Sequence, residues 1–280
     1  MRDRSLIINV ALTGIVPTKD QTPHVPVTPE EIARDAKTVY DLGAAMVHVH
    51  ARDREGRPSL EKEIYREIIL RIRERCPDII ITVSTSGRCA GSFDERIDML
   101  SLKGDAKPDM ASLTLGSLNF MHDASVTTPN QLMRMVQAMK DAHIIPELEI
   151  FDTGMSNYAA YLFRNGILEG KHYTNLILGS LGAMMATPRN LAHIVDDLPE
   201  QCLWAATGVG AFAFDMQALS IAMGGHVRVG VEDSIYMDGS RELATNAKLV
   251  SRVKAVAESM QRPLMTARAL REMLSLNAIP

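Results

Sequence analysis

Residues 46–53 read Met-Val-His-Val-His-Ala-Arg-Asp, and residues 226–233 read His-Val-Arg-Val-Gly-Val-Glu-Asp. Side chains alternate faces along a strand. In the first stretch Val47 and Val49 take one face, and His48, His50 and Arg52 the other. In the second, Val227, Val229 and Val231 oppose Arg228, Gly230 and Glu232. The division recurs where Ile81 and Val83 oppose Thr82 and Ser84, where Leu113 and Leu115 oppose Ser112 and Thr114, and where Leu148 and Ile150 oppose Glu147 and Glu149. A parallel sheet covered by helices on both sides reads apolar on both faces. One apolar and one ionisable face, strand after strand, fits a barrel whose outside meets helices and whose inside converges on a site. Buried charges are costly unless paired or metal-bound.

The rest of the chain agrees with that reading. Strand candidates are Leu6–Thr13, Met46–Arg52, Ile79–Thr85, Met110–Gly116, Glu147–Phe151, Asn175–Gly179, Leu203–Gly208 and Val227–Val231. Helix candidates follow them at Pro29–Leu42, Glu61–Arg75, Asp94–Leu102, Asn130–Ala142, Ser156–Asn165, Pro188–Asp196, Phe212–Met223 and Ala244–Met260. Thr28-Pro29-Glu30-Glu31 and Thr187-Pro188 are helix starts, and Gly43 a helix stop. Eight β-α units predict an α/β (β/α)8 TIM barrel, one domain over 1–280 with a short C-terminal helical extension.

Composition excludes other classes. With 46% hydrophobic residues, a large core is available. A net charge of −4 gives no electrostatic case for nucleic acid or an anionic membrane. No apolar run reaches transmembrane length. Cys76, Cys89 and Cys202 form no C-x-x-C pair, which fits free thiols in a reducing cytoplasm. Arg2 and Arg4 before the run Leu6–Leu12 resemble a signal peptide, but Asn9 and Thr13 interrupt the pattern and no small-residue cleavage site follows, so a first strand is expected.

His48 and His50 stand about 7 Å apart on one strand face, suited to two ligands of one ion. Glu232, ending the polar series of the last strand, is the expected third ligand; two histidines and a carboxylate are a catalytic zinc set. The other six histidines lack such geometry, although His24 or His122 could line the mouth. Arg228 needs a buried partner, with Asp233 or Glu147 available, and reads either as a substrate clamp or as a structural ion pair. Asp233 reads as a general base or as a loop acid. Ser84-Thr85-Ser86-Gly87 offers hydroxyl donors or is an ordinary turn. Gly208-Val209-Gly210 could offer amides to a phosphate, but a tight turn explains it more simply.

Residues 11–33 (ALTGIVPTKDQTPHVPVTPEEIA), 44–59 (AAMVHVHARDREGRPS), 81–87 (ITVSTSG), 111–120 (ASLTLGSLNF), 146–155 (PELEIFDTGM), 176–180 (LILGS) and above all 224–233 (GGHVRVGVED) resemble the β-keto acid cleavage enzymes, in particular the 3-keto-5-aminohexanoate type. The resemblance covers nearly the whole chain. It implies a zinc-dependent barrel, usually a homo-oligomer and often a tetramer, that reacts a β-keto acid with acetyl-CoA to give acetoacetate and a new acyl-CoA. It implies Zn2+ on His48, His50 and Glu232, Asp233 as base and Arg228 as its electrostatic partner. It implies a hold on the substrate carboxylate by Ser84, beside Thr85, with Ser112 or Thr114 helping. Glu147 matches an inner acid of the fifth strand. The family's ammonium-pairing glutamate falls at Val16, so an uncharged or alkyl β-keto acid is expected rather than the 5-amino substrate. A quaternary ammonium would need an aromatic cage, for which Phe120, Phe212 and Phe214 are candidates. The competing readings are a zinc hydrolase of the amidohydrolase type, and a non-catalytic barrel that binds metal and acyl-CoA.

Overall fold

The computed structural model describes residues 4–88, 91–237 and 239–276; Cys89 lies outside them. Eight parallel strands close into a barrel: β1 (Ile8–Ala11), β2 (Met46–Val49), β3 (Ile80–Val83), β4 (Met110–Thr114), β5 (Ile145–Ile150), β6 (His172–Leu178), β7 (Cys202–Gly208) and β8 (His226–Val229). Each pairs with its sequence neighbour, and β1 closes the ring on β8 with Asn9 opposite Arg228. The TIM barrel expected from the alternation is the observed fold. The outward valines, leucines and isoleucines of the strands share one core cluster with the apolar faces of the surrounding helices.

Those helices are α1 (Pro29–Asp41), α2 (Lys62–Arg75), α3 (Phe93–Ile97), α4 (Pro129–Asp141), α5 (Thr153–Arg164), α6 (Pro188–Asp196), α7 (Ala213–Ala222) and α8 (Asn246–Ser259). Thr28 caps α1 in a reciprocal pair with Glu31, and Thr187 caps α6. The third helix is shorter than expected: α3 has five residues and continues as a 3-10 turn over Asp98–Ser101.

The inside of the barrel is layered. Toward the strand N-termini, Ile7, Met46, Ile80, Met110, Tyr173 and Ala205 form a separate apolar cluster. Helix α9 (Ala267–Met273) closes that end, with Leu270 and Leu274 in the same cluster. The interior is therefore polar only in its upper part, where the strands end. Two short ribbons not foreseen from sequence, Ala51–Arg52 with Pro58–Ser59 and Leu118–Asn119 with Ala124–Ser125, lie just past β2 and β4. Two-residue strands are too short to leave a periodic signal.

Candidate active site

At the carboxyl ends of the strands, His48 and His50 face each other with Nε2 atoms 3.3 Å apart. Glu232 Oε1 lies 3.3 Å from His50 Nε2. One ligand atom from each of the three lies within 4.8 Å of the others. Glu232 gets there differently from expectation. β8 ends at Val229, and the chain then turns, with the Asp233 and Ser234 amides donating to Gly230 O. Gly230 (φ +152°) makes the turn possible, because a Cβ there would stand 2.1 Å from Ala11 O. The turn lets consecutive residues, Glu232 and Asp233, both reach Arg228, which strand parity forbids.

Arg228 is buried and serves three acids. Its Nη2 donates to Glu232 Oε1 at 2.7 Å and its Nε to Asp233 Oδ2 at 3.1 Å, while Nη1 stands 3.6 Å from Glu149 Oε1. Of the two partners expected for it, Asp233 is the observed one. Glu147 instead bonds His48 Nδ1 at 2.8 Å and accepts from Asn9 and Asn175. Glu149, which the alternation places only on a polar face, also accepts from Thr114 Oγ1 at 2.7 Å.

Burial and charge set the protonation tendencies. Burial pushes Glu232 up, but His50, Arg228 and His48 outweigh it and hold the carboxyl well below its usual range. Burial, helped by the neighbouring Glu232 charge, raises Asp233 despite Arg228. Burial lowers His50. It also lowers His48, but Glu147 and Glu232 reverse this and raise it. The bonded cluster thus holds four carboxylates (Glu147, Glu149, Glu232 and Asp233) against one guanidinium. Glu232 Oε2 is buried without a hydrogen-bond partner. This donor set fits a divalent cation with nitrogen and oxygen ligands.

The remaining expected residues make the following contacts. Thr85 donates its hydroxyl to Ser112 O, and its amide to Ser112 Oγ. The Ser84 hydroxyl accepts from the Ser86 amide at 3.3 Å. Val16 is 54% exposed on the loop after β1, not buried. Phe120 lies under the Arg88 guanidinium and Phe214 under that of Arg252, so two of the three candidate cage rings already stack on arginines of this chain. The Val209 and Gly210 amides donate to Leu178 O and Asp233 O, which commits them to the turn rather than to a phosphate.

The model of the beta-keto acid cleavage enzyme family matches residues 5–276. The chain belongs to this family. It is 39% identical over 97% of its length to a 3-keto-5-aminohexanoate cleavage enzyme of Fusobacterium nucleatum, covering 98% of that protein. It is 35% identical over 96% of its length to a 3-oxoadipate:acetyl-CoA acetyltransferase of Cupriavidus necator, covering 94% of it. A structure titled as the apo form of ObcA shares the fold with a TM-score of 0.80 at 20% identity, over 91% of this chain and 66% of that one.

In this β-keto acid cleavage enzyme, sequence reasoning missed Asn9, Asn175 and Glu149 around the centre. It also gave Arg52 no role. Arg52 is buried and donates to Gly14 O, Gly56 O and Pro17 O at 3.0, 3.0 and 2.9 Å, tying the loop after β1 to the segment just past His50. The polar parity of Arg52 with His48 and His50 was the available signal. Among the described residues no helix is long and apolar enough to cross a membrane.

Proposed function

We propose that this protein is an acetyl-CoA-dependent β-keto acid cleavage enzyme in which His48, His50 and Glu232 hold one Zn2+. The observation that carries the reading is the convergence of these three ligands beside the Arg228–Asp233 pair, in a chain of this family. Lewis-acid polarisation of a ketone oxygen is the chemistry such an ion supplies when bound. Ser84, beside Thr85, orients the substrate carboxylate with help from Ser112, while the Thr85 and Thr114 hydroxyls donate to Ser112 O and Glu149 and brace the neighbouring strand ends. Asp233 Oδ takes a proton from the carbon between ketone and carboxylate, and burial keeps this acid poised for the transfer. Arg228 stabilises the Asp233 charge before transfer and the developing enolate after it. The enolate carbon attacks the thioester carbonyl of acetyl-CoA, forming a C–C bond and expelling CoA thiolate. The thiolate attacks the original ketone carbon, the adjoining C–C bond breaks, and Asp233 returns its proton to the acetoacetate carbon. The new acyl-CoA and acetoacetate leave.

The substrate tail is uncharged or alkyl. Val16 supplies no carboxylate for an ammonium, and the occupied Phe120 and Phe214 rings argue against a quaternary ammonium cage. Because Val16 is half-exposed, the preference comes from the missing ion pair rather than from a burial penalty. The whole of 1–280 acts as one barrel domain with a short helical extension, working in the cytoplasm as a homo-oligomer, a tetramer by family analogy, without nucleic acid or membrane.

The test mixes zinc-loaded protein with acetyl-CoA and β-keto acids carrying alkyl, carboxylated, 5-hydroxy, 5-amino and trimethylammonium tails. Acetoacetate that requires both acetyl-CoA and metal, and disappears in Asp233→Asn, is the expected result. Metal-dependent substrate loss without CoA would replace this reading with the hydrolase one. That alternative has less support, since among the described residues the only three-ligand cluster is His48, His50 and Glu232, whereas amidohydrolase-type sites use further ligands.

A further inference from the structure

We propose that Glu147 is a positioning residue that, with Asn9 and Asn175, fixes the ring of His48 so that its Nε2 offers a lone pair to the cluster. The inference rests on the reading that His48, His50 and Glu232 are the metal ligands. Glu147 is wholly buried on β5, Asn9 comes from β1 and Asn175 from β6. The two amide nitrogens donate to the same atom, Glu147 Oε1, at 2.6 and 2.7 Å. Turning either amide over would set its oxygen against the carboxylate, so the donor sense is fixed by the partners. Both bonds hold one oxygen still and aim the other, Oε2, at His48 Nδ1, 2.8 Å away. A carboxylate only accepts here, so Nδ1 carries the proton and Nε2 is left as the acceptor. That nitrogen is the one 3.3 Å from His50 Nε2. The cradle therefore spans the barrel to set one tautomer and one ring orientation. Arg228, by contrast, bonds Glu232 and Asp233 and forms a longer ion pair with Glu149.

The Glu147→Gln variant inverts this logic. If its carbonyl oxygen sits on the two asparagine donors, its NH2 points at His48 Nδ1 and forces the proton onto Nε2. If the amide is reversed, three NH2 groups face one another. Either way the lone pair at Nε2 is lost or strained. Outer-shell partners of this kind change metal affinity by about 10- to 100-fold.

The experiment measures the zinc dissociation constant by competition with a chromophoric chelator, and kcat at saturating zinc, for wild type, Glu147→Gln and the milder Asn175→Ser. We expect zinc binding about 10- to 100-fold weaker in Glu147→Gln and several-fold weaker in Asn175→Ser. In both, kcat at saturating zinc should return to within a few-fold of wild type. Wild-type zinc affinity in either folded variant overturns the inference. So does a kcat that stays more than about 100-fold down at saturating zinc, because Glu147 would then act in the chemical steps. His50→Ala is the separate control. If it leaves zinc uptake unchanged, the ligand assignment fails first and this inference falls with it; if it abolishes uptake while Glu147→Gln does not weaken it, only this inference fails.

Discussion

Gly14 leans directly on Glu232: a Cβ built at Gly14 would stand 2.6 Å from Glu232 Cγ, on a backbone whose φ is +66°. The first loop and the third expected metal ligand thus share one close contact that only glycine permits. Gly14→Ala must push Glu232 away or unwind a left-handed residue, at a cost of about 1–3 kcal/mol. We expect a lower melting temperature together with weaker zinc binding, read by thermal scan and chelator competition. A variant that melts early but binds zinc as wild type would mean that Glu232 is not held by this contact.

Arg228 supports a second prediction. It is buried and is the shared partner of Glu149, Glu232 and Asp233. Removing one partner of a buried ion pair leaves uncompensated charge, typically costing about 3–5 kcal/mol. Arg228→Met should therefore lose stability on that scale and all activity, while Arg228→Lys keeps the charge but not the forked geometry. Urea unfolding measures the first effect. A loss below about 1 kcal/mol in Arg228→Met would show that the three acids find other compensation.

What could be read from the sequence follows from how local each rule is. Strand parity is local, so the alternation through Met46–Arg52 singles out His48 and His50 without reference to the fold, and both lie in the cluster. The same parity extended past Val229 points to Glu232 as well, although the chain turns at Gly230 and it is this turn that brings Glu232 to the cluster. Asn9 read only as an interruption of an apolar run, and Asn175 only as the start of a strand. Their meaning lies in meeting Glu147 across the barrel, a contact 138 residues apart for one and 28 for the other. No periodicity encodes that convergence. Helix α9 is similar: its role as the floor beneath Met46 and Ile80 depends on barrel closure, not on its own short pattern.

Glu31 links pH to the loop after β1. Partial burial pushes its carboxyl up, but the Lys19 ammonium and the Val27 and Thr28 amides outweigh this and lower it to about 2 from 4.5. A depressed carboxylate stabilises the fold fully above the unfolded value and loses that contribution as pH falls from about 4.5 toward 2. Wild type should therefore be more stable than Glu31→Gln at neutral pH. The gap in melting temperature should close over that acid window. A gap that stays constant from about pH 7 to about pH 2.5 would remove Glu31 as its source. High salt should shrink the neutral-pH gap only in part, because two of the bonds come from backbone amides.

Val16 tests what sets the substrate tail. It stands on the Gly14–Pro17 segment that Arg52 holds by two carbonyls, so its backbone is anchored even though its side chain is 54% exposed. Val16→Glu adds a carboxylate without disturbing a core. An exposed ion pair contributes about 0.2–1 kcal/mol, so the ratio of kcat/KM for 5-amino over alkyl substrates should rise by about 1.5- to 5-fold. A rise beyond about 20-fold would mean the position is desolvated once substrate is bound, since only a water-poor pair is worth that much. No change in the ratio would move the tail pocket elsewhere on the rim. Arg52→Met makes the companion measurement: with the segment released, the selectivity gained in Val16→Glu should fall, and zinc affinity should fall with it, because Arg52 also holds the carbonyl of Gly14, which packs on Glu232.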